Sequence, residues 1–215
     1  MADSRIVSAR LYGFIDTAYL AGRDPGDLAR AMIDGGVDMI QVRAKEMSHA
    51  QRVELGMAAR NAAASSNVPV IINDDIDGAF EIGADGVHLG QEDWSAIPRA
   101  QRRERLAGLG IVGLSTHSME QALQAERDGA DYIGVGPIFP TATKPGAKPV
   151  GLDLLRRIAE RVATPFFAIG GITLDNIDQV LEAGARRVAV VSAILAAPDV
   201  RKAAAAFKQR IAQAQ

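Results

Sequence analysis

Three places along the chain set polar, chemically capable side chains at the end of an apolar run. The run Met39–Ala44 leads into Gln41-Val42-Arg43-Ala44-Lys45, and the period-two alternation of an extended chain puts Gln41, Arg43 and Lys45 on one side. A planar guanidinium fork beside an ammonium point charge suits a phosphate or a diphosphate. A surface salt-bridge cluster is the alternative, but three polar groups on the inner side of a buried strand are costly without a partner. The runs Pro69–Asp74 and Gly86–Gln91 lead into Asn73-Asp74-Asp75 and His88-Leu89-Gly90-Gln91-Glu92-Asp93. Left alone, these carboxylates would repel the diphosphate that Arg43 and Lys45 attract. A divalent cation resolves the conflict, and Mg²⁺ takes one or two carboxylates together with substrate oxygens and water. Asp74 and Asp93 are the expected ligands; Asp75 and Glu92 could instead cap the helices that follow them.

Other candidates lie further along. Ser115, in Gly113-Leu114-Ser115-Thr116-His117-Ser118, should reach the same side. No nucleophile elbow or Ser-His-Asp order surrounds it, so its hydroxyl is better suited to hydrogen-bonding a substrate heterocycle than to attacking one. His88, between Val87 and Leu89, reads as a hydrogen-bonded core residue, and His49 as a solvated one. The stretch Gly136 to Lys148 is a long polar loop in which Thr141, Thr143 and Lys144 offer hydroxyls and a cation that could close over phosphates. Gly170-Gly171-Ile172-Thr173 and the run Arg187–Ile194 suit a phosphate cup built from backbone N–H groups, which paired glycines allow a ligand to approach closely.

The elements that must position these groups follow from hydrophobic rhythm. Eight short apolar runs alternate with alanine-rich helical patterns: Leu11–Asp16, Met39–Ala44, Pro69–Asp74, Gly86–Gln91, Gly110–Ser115, Tyr132–Ile138, Pro165–Gly171 and Arg187–Ile194. Runs apolar on both faces and separated by helices predict a buried parallel sheet. Gly36-Val37-Asp38, Gly83-Ala84-Asp85, Gly129-Ala130-Asp131 and Gly184-Ala185-Arg186 mark repeated helix-to-strand turns. The 215 residues then make an α/β chain folded as a single (β/α)8 TIM barrel, one domain over residues 1–215. An open doubly wound sheet is disfavoured because no run is followed by G-x-G-x-x-G. In such a barrel the carboxyl ends of the strands carry function, which is where every candidate above falls.

Composition narrows the classes. The chain has no cysteine, so thiolate chemistry and disulfides are excluded. A net charge of −2 gives no basic surface for nucleic acid. No stretch approaches the ~20 apolar residues that span a bilayer, and the polar Met1-Ala2-Asp3-Ser4-Arg5 start is unlike a secretion signal. These features predict a cytoplasmic enzyme acting on small phosphorylated molecules, with neither nucleic acid nor membrane as partner, and leave open a homo-oligomer.

Taken in order, Gln41-x-Arg43-x-Lys45, Asn73-Asp74-Asp75, His88-x-Gly90-Gln91-Glu92-Asp93, Gly113-x-Ser115-x-His117, Pro140-Thr141-x-Thr143-Lys144 and Gly170-Gly171-Ile172-Thr173 resemble the thiamine phosphate synthase family. The resemblance runs from about Leu11 to the last helix. It implies a transferase that joins an aminopyrimidine diphosphate to a thiazole phosphate and releases diphosphate. It further implies that Gln41, Val42, Arg43, Ala44, Lys45, Asn73, Ser115 and Lys144 hold the pyrimidine diphosphate. Asp74 and Asp93 would hold Mg²⁺, and Thr141, Ala142, Thr143, Gly171, Val191 and Ser192 the thiazole phosphate. Arg43, Lys45, Ser115 and Lys144 would carry catalysis, by helping diphosphate leave before the thiazole nitrogen bonds. The stretch Phe14 to Tyr19 departs from the family pattern, which leaves contacts from the first loop open. A thiazole tautomerase on the same barrel, a phosphosugar isomerase and a non-catalytic ligand-binding regulator are the competing readings. None of them needs both the acidic sets and Gln41-x-Arg43-x-Lys45.

Overall fold

The computed structural model describes residues 3–144 and 146–214. Pro145, within the polar loop after the sixth run, lies outside the described residues, as do Met1 and Ala2 at the start. Eight parallel strands close into a barrel in sequence order: β1 Leu11–Asp16, β2 Met39–Arg43, β3 Val70–Asn73, β4 Gly86–Leu89, β5 Ile111–Thr116, β6 Tyr132–Val135, β7 Phe166–Ile169 and β8 Val188–Ala189. The larger helices around it are α1 Pro25–Asp34, α2 His49–Ala63, α3 Met119–Arg127, α4 Gly151–Arg161 and α5 Val200–Gln213. Short helices α6 Ile76–Glu81, α7 Gln91–Ala96, α8 Ile177–Glu182 and α9 Ser192–Leu195 follow β3, β4, β7 and β8.

The barrel form follows from the two-sided apolar strands. Even positions of β2, such as Ile40 and Val42, are buried against the helical layer, while odd positions point inward. Helix α4 shows the complementary stripe, with Leu155 and Ile158 fully buried and Arg156, Arg157 and Arg161 exposed. The interior is filled by Tyr12, Tyr132 and Phe167, whose ring centroids lie 5.2–5.8 Å apart in edge-on pairs. Gly113 makes room for this cluster, since a Cβ there would fall 2.1 Å from Tyr132 Cζ.

The repeated Gly-x-Asp turns have a defined job at the amino-terminal rim. Gly36, Gly83, Gly129 and Gly184 all take positive φ, turning each helix into the next strand. The aspartates then reach sideways. Asp38 accepts from Arg10 N and Leu11 N (2.8 and 2.9 Å), Asp85 from Val70 N (2.9 Å) and Asp131 from Val112 N (2.8 Å). Each carboxylate thus satisfies an N–H at the start of the preceding strand, the first residue in β1 and β3 and the second in β5. The fourth turn carries Arg186 in place of aspartate; in the loop ahead of β7, Glu126 accepts from Ala163 N and Thr164 N at 2.7 and 2.8 Å.

Most strands are shorter than the hydrophobic runs predict, because pairing stops where the chain bends into the following loop. The largest difference is the last run: Arg187–Ile194 reads as one strand, but only Val188–Ala189 pairs, and Ser192 already opens α9. Likewise Gln91, expected within the fourth strand, begins α7. Apolarity reports burial, and a short buried helix is as apolar as a strand.

Asp38 also pairs with Lys208 of α5. Removing its carboxylate leaves two strand-start donors unsatisfied. Asp38→Ala should therefore cost on the order of 2 kcal/mol, lowering Tm by about 4–8 °C in thermal unfolding, without closing or filling the strand-end cavity.

Candidate active site

A cavity of about 480 Å³ opens at the carboxyl ends of the strands, and most of the predicted residues meet in it. Gln41, Arg43, Lys45, Asn73, Asp74, Asp93, Ser115, Thr141, Thr143, Lys144, Gly171, Val191 and Ser192 all line it. Val42, Ala44 and Ala142 do not. They alternate with the lining residues, so their side chains point away and only their backbone could meet a ligand.

Arg43 is held by Asp16 at the end of β1, with Nη1 2.7 Å from Oδ2. Asp16 is fully buried and also accepts from Ala18 N (3.0 Å), so the first loop and Arg43 share one carboxylate. A buried, hydrogen-bonded acid is what fixes the direction of the guanidinium fork. Lys45 and Lys144 reach the cavity from β2 and from the loop after β6, with no ion-pair partner among the described residues. Two uncompensated ammonium groups facing one space favour an anion there.

Opposite in charge, Asp74 and Asp93 come together around Gly90. An ideal Cβ on Gly90 would lie 3.1 Å from Asp93 Oδ2 and 3.9 Å from Asp74 Oδ1. Asp74 adopts a left-handed backbone (φ 61°), accepting from Gly90 N at 3.2 Å and from Asn73 Nδ2 at 2.5 Å. Burial, and then the charge of Asp93, push its carboxyl above the usual range. Two neighbouring carboxylates in a cavity that also holds cationic side chains form a donor set suited to a hard divalent cation completed by ligand oxygens and water. Among the described residues no group of three or more acids and histidines forms a self-sufficient metal cage. Asp75 is not part of this set. It caps α6 through Gly78 N (2.8 Å) and pairs with Arg52 (2.7 Å), while Glu92 lines the cavity edge.

The floor is a chain of hydrogen bonds. Gln41 Nε2 donates to Tyr12 OH (2.7 Å); Tyr12 OH lies 2.9 Å from Tyr132 OH; Tyr132 OH lies 3.0 Å from His88 Nδ1; and His88 Nε2 lies 2.9 Å from Ser115 Oγ. His88 is 7% exposed, and burial pushes its pKa down to about 4. His117 also lines the cavity, with its Nδ1 held against Gly136 O. His49 is half exposed and meets Glu81 at 2.7 Å, away from the cavity.

The far wall is made by the loops after β6, β7 and β8. Gly170 and Gly171 take positive φ, as an approach to a ligand would allow, but their missing side chains face protein. A Cβ on Gly170 would meet Pro137 at 2.4 Å, and one on Gly171 would meet Pro140 O at 2.4 Å. The glycine pair thus lets the sixth loop dock on the seventh. The first loop reaches the sixth too, through Tyr19 OH and Thr143 Oγ1 at 3.1 Å. Sequence reasoning missed Asp16, Tyr12, Tyr132 and Phe167 as site residues. The alternation in β1 and β6 carried the signal, because Tyr12, Phe14 and Asp16 share the inward face.

Comparison with known proteins gives a consistent set of relatives. A family model described as thiamine monophosphate synthase matches residues 11–194. A thiamine-phosphate synthase of Chloroflexus aurantiacus is 44% identical, covering 100% of this chain and 98% of its own. One of Thermus thermophilus is 47% identical over 86% of this chain and 88% of its own. Among solved structures, a thiamine phosphate pyrophosphorylase from Pyrococcus furiosus superposes with a TM-score of 0.87 at 35% identity, covering 99% of both chains. A 3-hexulose-6-phosphate synthase, 21% identical with a TM-score of 0.66, shares the fold alone.

The buried histidine has a measurable signature. An unfolded chain takes up a proton on His88 near its ordinary pKa of 6.5, which the folded chain resists until about pH 4. Stability tied to this residue is therefore complete above pH 6.5 and lost as pH falls toward 4. The loss should reach about 3 kcal/mol by chemical denaturation, and a His88→Gln variant should show a correspondingly flatter acid limb.

Proposed function

The chain belongs to the thiamine monophosphate synthase family, and on that premise we propose how its cavity couples an aminopyrimidine diphosphate to a thiazole phosphate, releasing diphosphate. The observation that carries the reading is that one cavity combines two unlike kinds of lining. Arg43, Lys45, Lys144, Asp74 and Asp93 line it together with Gly170, Gly171, Val191 and Ser192 of the loops after β7 and β8. Two phosphate-bearing ligands facing each other suit a coupling better than an isomerisation. Both ring nitrogens of His88 are engaged on the cavity floor, which leaves that histidine poorly placed to exchange protons with a ligand.

In this assignment the diphosphate lies against Arg43, Lys45 and Lys144, while Gln41, Asn73 and Ser115 orient the pyrimidine ring and the backbone of Val42 and Ala44 borders it. Asp74 and Asp93 hold Mg²⁺, which when bound neutralises charge on the leaving diphosphate. Thr141, Ala142, Thr143, Gly171, Val191 and Ser192 hold the thiazole phosphate. The bond from the pyrimidine methylene carbon to the diphosphate oxygen breaks, its electron pair leaving with oxygen, and the thiazole nitrogen then donates its pair to that carbon. No side chain need act as a nucleophile. Arg43, Lys45 and Lys144 donate hydrogen bonds that strengthen as negative charge builds on the departing oxygen, and the walls supply alignment of two reactants.

Incubation with the pyrimidine diphosphate, thiazole phosphate and Mg²⁺ should yield thiamine phosphate and diphosphate in equal amounts. Isomerisation of the thiazole alone, with no coupling, would refute the reading. Lys144→Ala and Asp93→Ala should each cut kcat by about 100-fold while leaving the circular dichroism spectrum unchanged. Saturating Mg²⁺ with diphosphate should raise the Tm of the wild-type protein by about 2–4 °C for each kcal/mol of binding linkage, and that gain should vanish in an Asp74→Asn/Asp93→Asn protein.

A further inference from the structure

The first loop is where the sequence leaves the family pattern, and the structure has a braced element there. After β1, Thr17–Tyr19 form one turn of 3₁₀ helix. On one side of Tyr19, Asp16 accepts from Ala18 N at 3.0 Å. On the other, Arg23 donates through Nη2 to Tyr19 O (2.6 Å) and through Nε to Leu20 O (3.0 Å). The same guanidinium donates to Leu195 O (2.5 Å), at the end of α9, whose first residue Ser192 lines the cavity. With the backbone held on both sides, the partly buried phenol of Tyr19 is aimed in one direction. Its hydroxyl lies 3.1 Å from Thr143 Oγ1 in the sixth loop.

That contact is what fixes the middle of the sixth loop. The loop is anchored at its start, where Phe139 N donates to Gly170 O (3.0 Å), and at its end, where Val150 N donates to Pro137 O (2.8 Å). Between these anchors, Thr143 N donates to Thr141 Oγ1 and Ala147 N to Lys144 O, both 3.2 Å and both within the loop. Among the described residues of this stretch, the bond to Tyr19 is the only hydrogen bond or ion pair that reaches another element. Thr141, Thr143 and Lys144 line the cavity, whereas Tyr19 does not. A phosphate oxygen can only accept, so a Thr143 hydroxyl bound to one gives it its hydrogen and must itself accept from Tyr19.

We propose that Tyr19 is a positioning residue, which hangs the Thr141–Lys144 segment at the cavity and so orders it before the thiazole phosphate arrives. This rests on the reading that Thr143 holds that phosphate. Without the Tyr19 hydroxyl, the segment must be ordered by the ligand itself, at the expense of affinity. Once bound, the phosphate seats Thr143 and Lys144 in the same place, so the loss falls on binding rather than on turnover. The pyrimidine diphosphate, held chiefly from the ends of β2, β3 and β4, depends on the segment far less.

Steady-state kinetics of the coupling reaction test this. Tyr19→Phe should raise the KM for thiazole phosphate about 5-fold, the worth of one ordinary hydrogen bond, with kcat and the KM for the pyrimidine diphosphate kept within about twofold. In a Thr143→Val background the same substitution should have no further effect, because the bond is already gone. A general loosening of the first loop would instead weaken both backgrounds equally. ¹⁵N relaxation of the ligand-free protein gives a readout apart from turnover: the Lys144 amide order parameter should fall from about 0.85 toward about 0.6 in Tyr19→Phe. Should that variant not fold, Thr143→Val cuts the bond from its other end and should show the same fall. A wild-type KM in Tyr19→Phe, an equal loss in the Thr143→Val background, or an unchanged Lys144 order parameter would overturn the proposal while wild type still made product. A wild-type protein that couples nothing would overturn the reading beneath it, and this proposal with it.

Discussion

Closure of the sheet by its shortest strand is the constraint from which the site follows. β8 pairs through Val188 and Ala189 alone, and Val188 N to Arg10 O and Val190 N to Tyr12 O, both 2.9 Å, seal it against β1. A closed parallel barrel has no free edge, so every inward side chain faces other inward side chains across a narrow space. With Tyr12, Tyr132 and Phe167 filling the middle, the polar residues of the upper layer have nowhere to go but the mouth. Charged groups that would be prohibitively desolvated deeper in the barrel are there held by one another and by solvent.

Within that frame two kinds of order coexist. At the amino-terminal rim, Asp38, Asp85 and Asp131 spend their carboxylates on backbone N–H groups and make the strand starts rigid. At the carboxyl-terminal rim, acids and bases are left facing open space: Lys45 and Lys144 without ion pairs among the described residues, Asp74 and Asp93 crowding one another. The same residue type satisfies backbone donors at one end and faces the cavity at the other. Asp16 and Asp75 sit between these roles, since each orders a loop or helix start while pairing with an arginine.

Much of this architecture was legible as pattern. Eight two-sided apolar runs and four Gly-x-Asp or Gly-x-Arg turns predict the barrel, and the structure closes in that order. Alternation placed Gln41 and Arg43 inward, and strand ends located the acids. Strand lengths were not legible, as with Arg187–Ile194, because a buried four-residue helix and a buried strand carry the same apolar composition. The glycine pair Gly170-Gly171 reads as a phosphate approach from sequence, but its missing Cβ atoms face Pro137 and Pro140 O, a packing fact that no local pattern carries.

Residue type and spacing by themselves determined the fold class, the end of the barrel at which the cavity opens and most of the residues that line it. What only the tertiary structure decided is which of those residues touch. Asp16 reaches Arg43 across 27 positions of sequence, Tyr12 reaches Tyr132 across 120, and Tyr19 reaches Thr143 across 124. Such pairings arise because barrel closure brings residues of different strands to one level, and that level depends on register, which is a property of the whole sheet. The hydrogen-bond chain on the cavity floor is therefore invisible in any single motif, although each of its five members was present in the sequence.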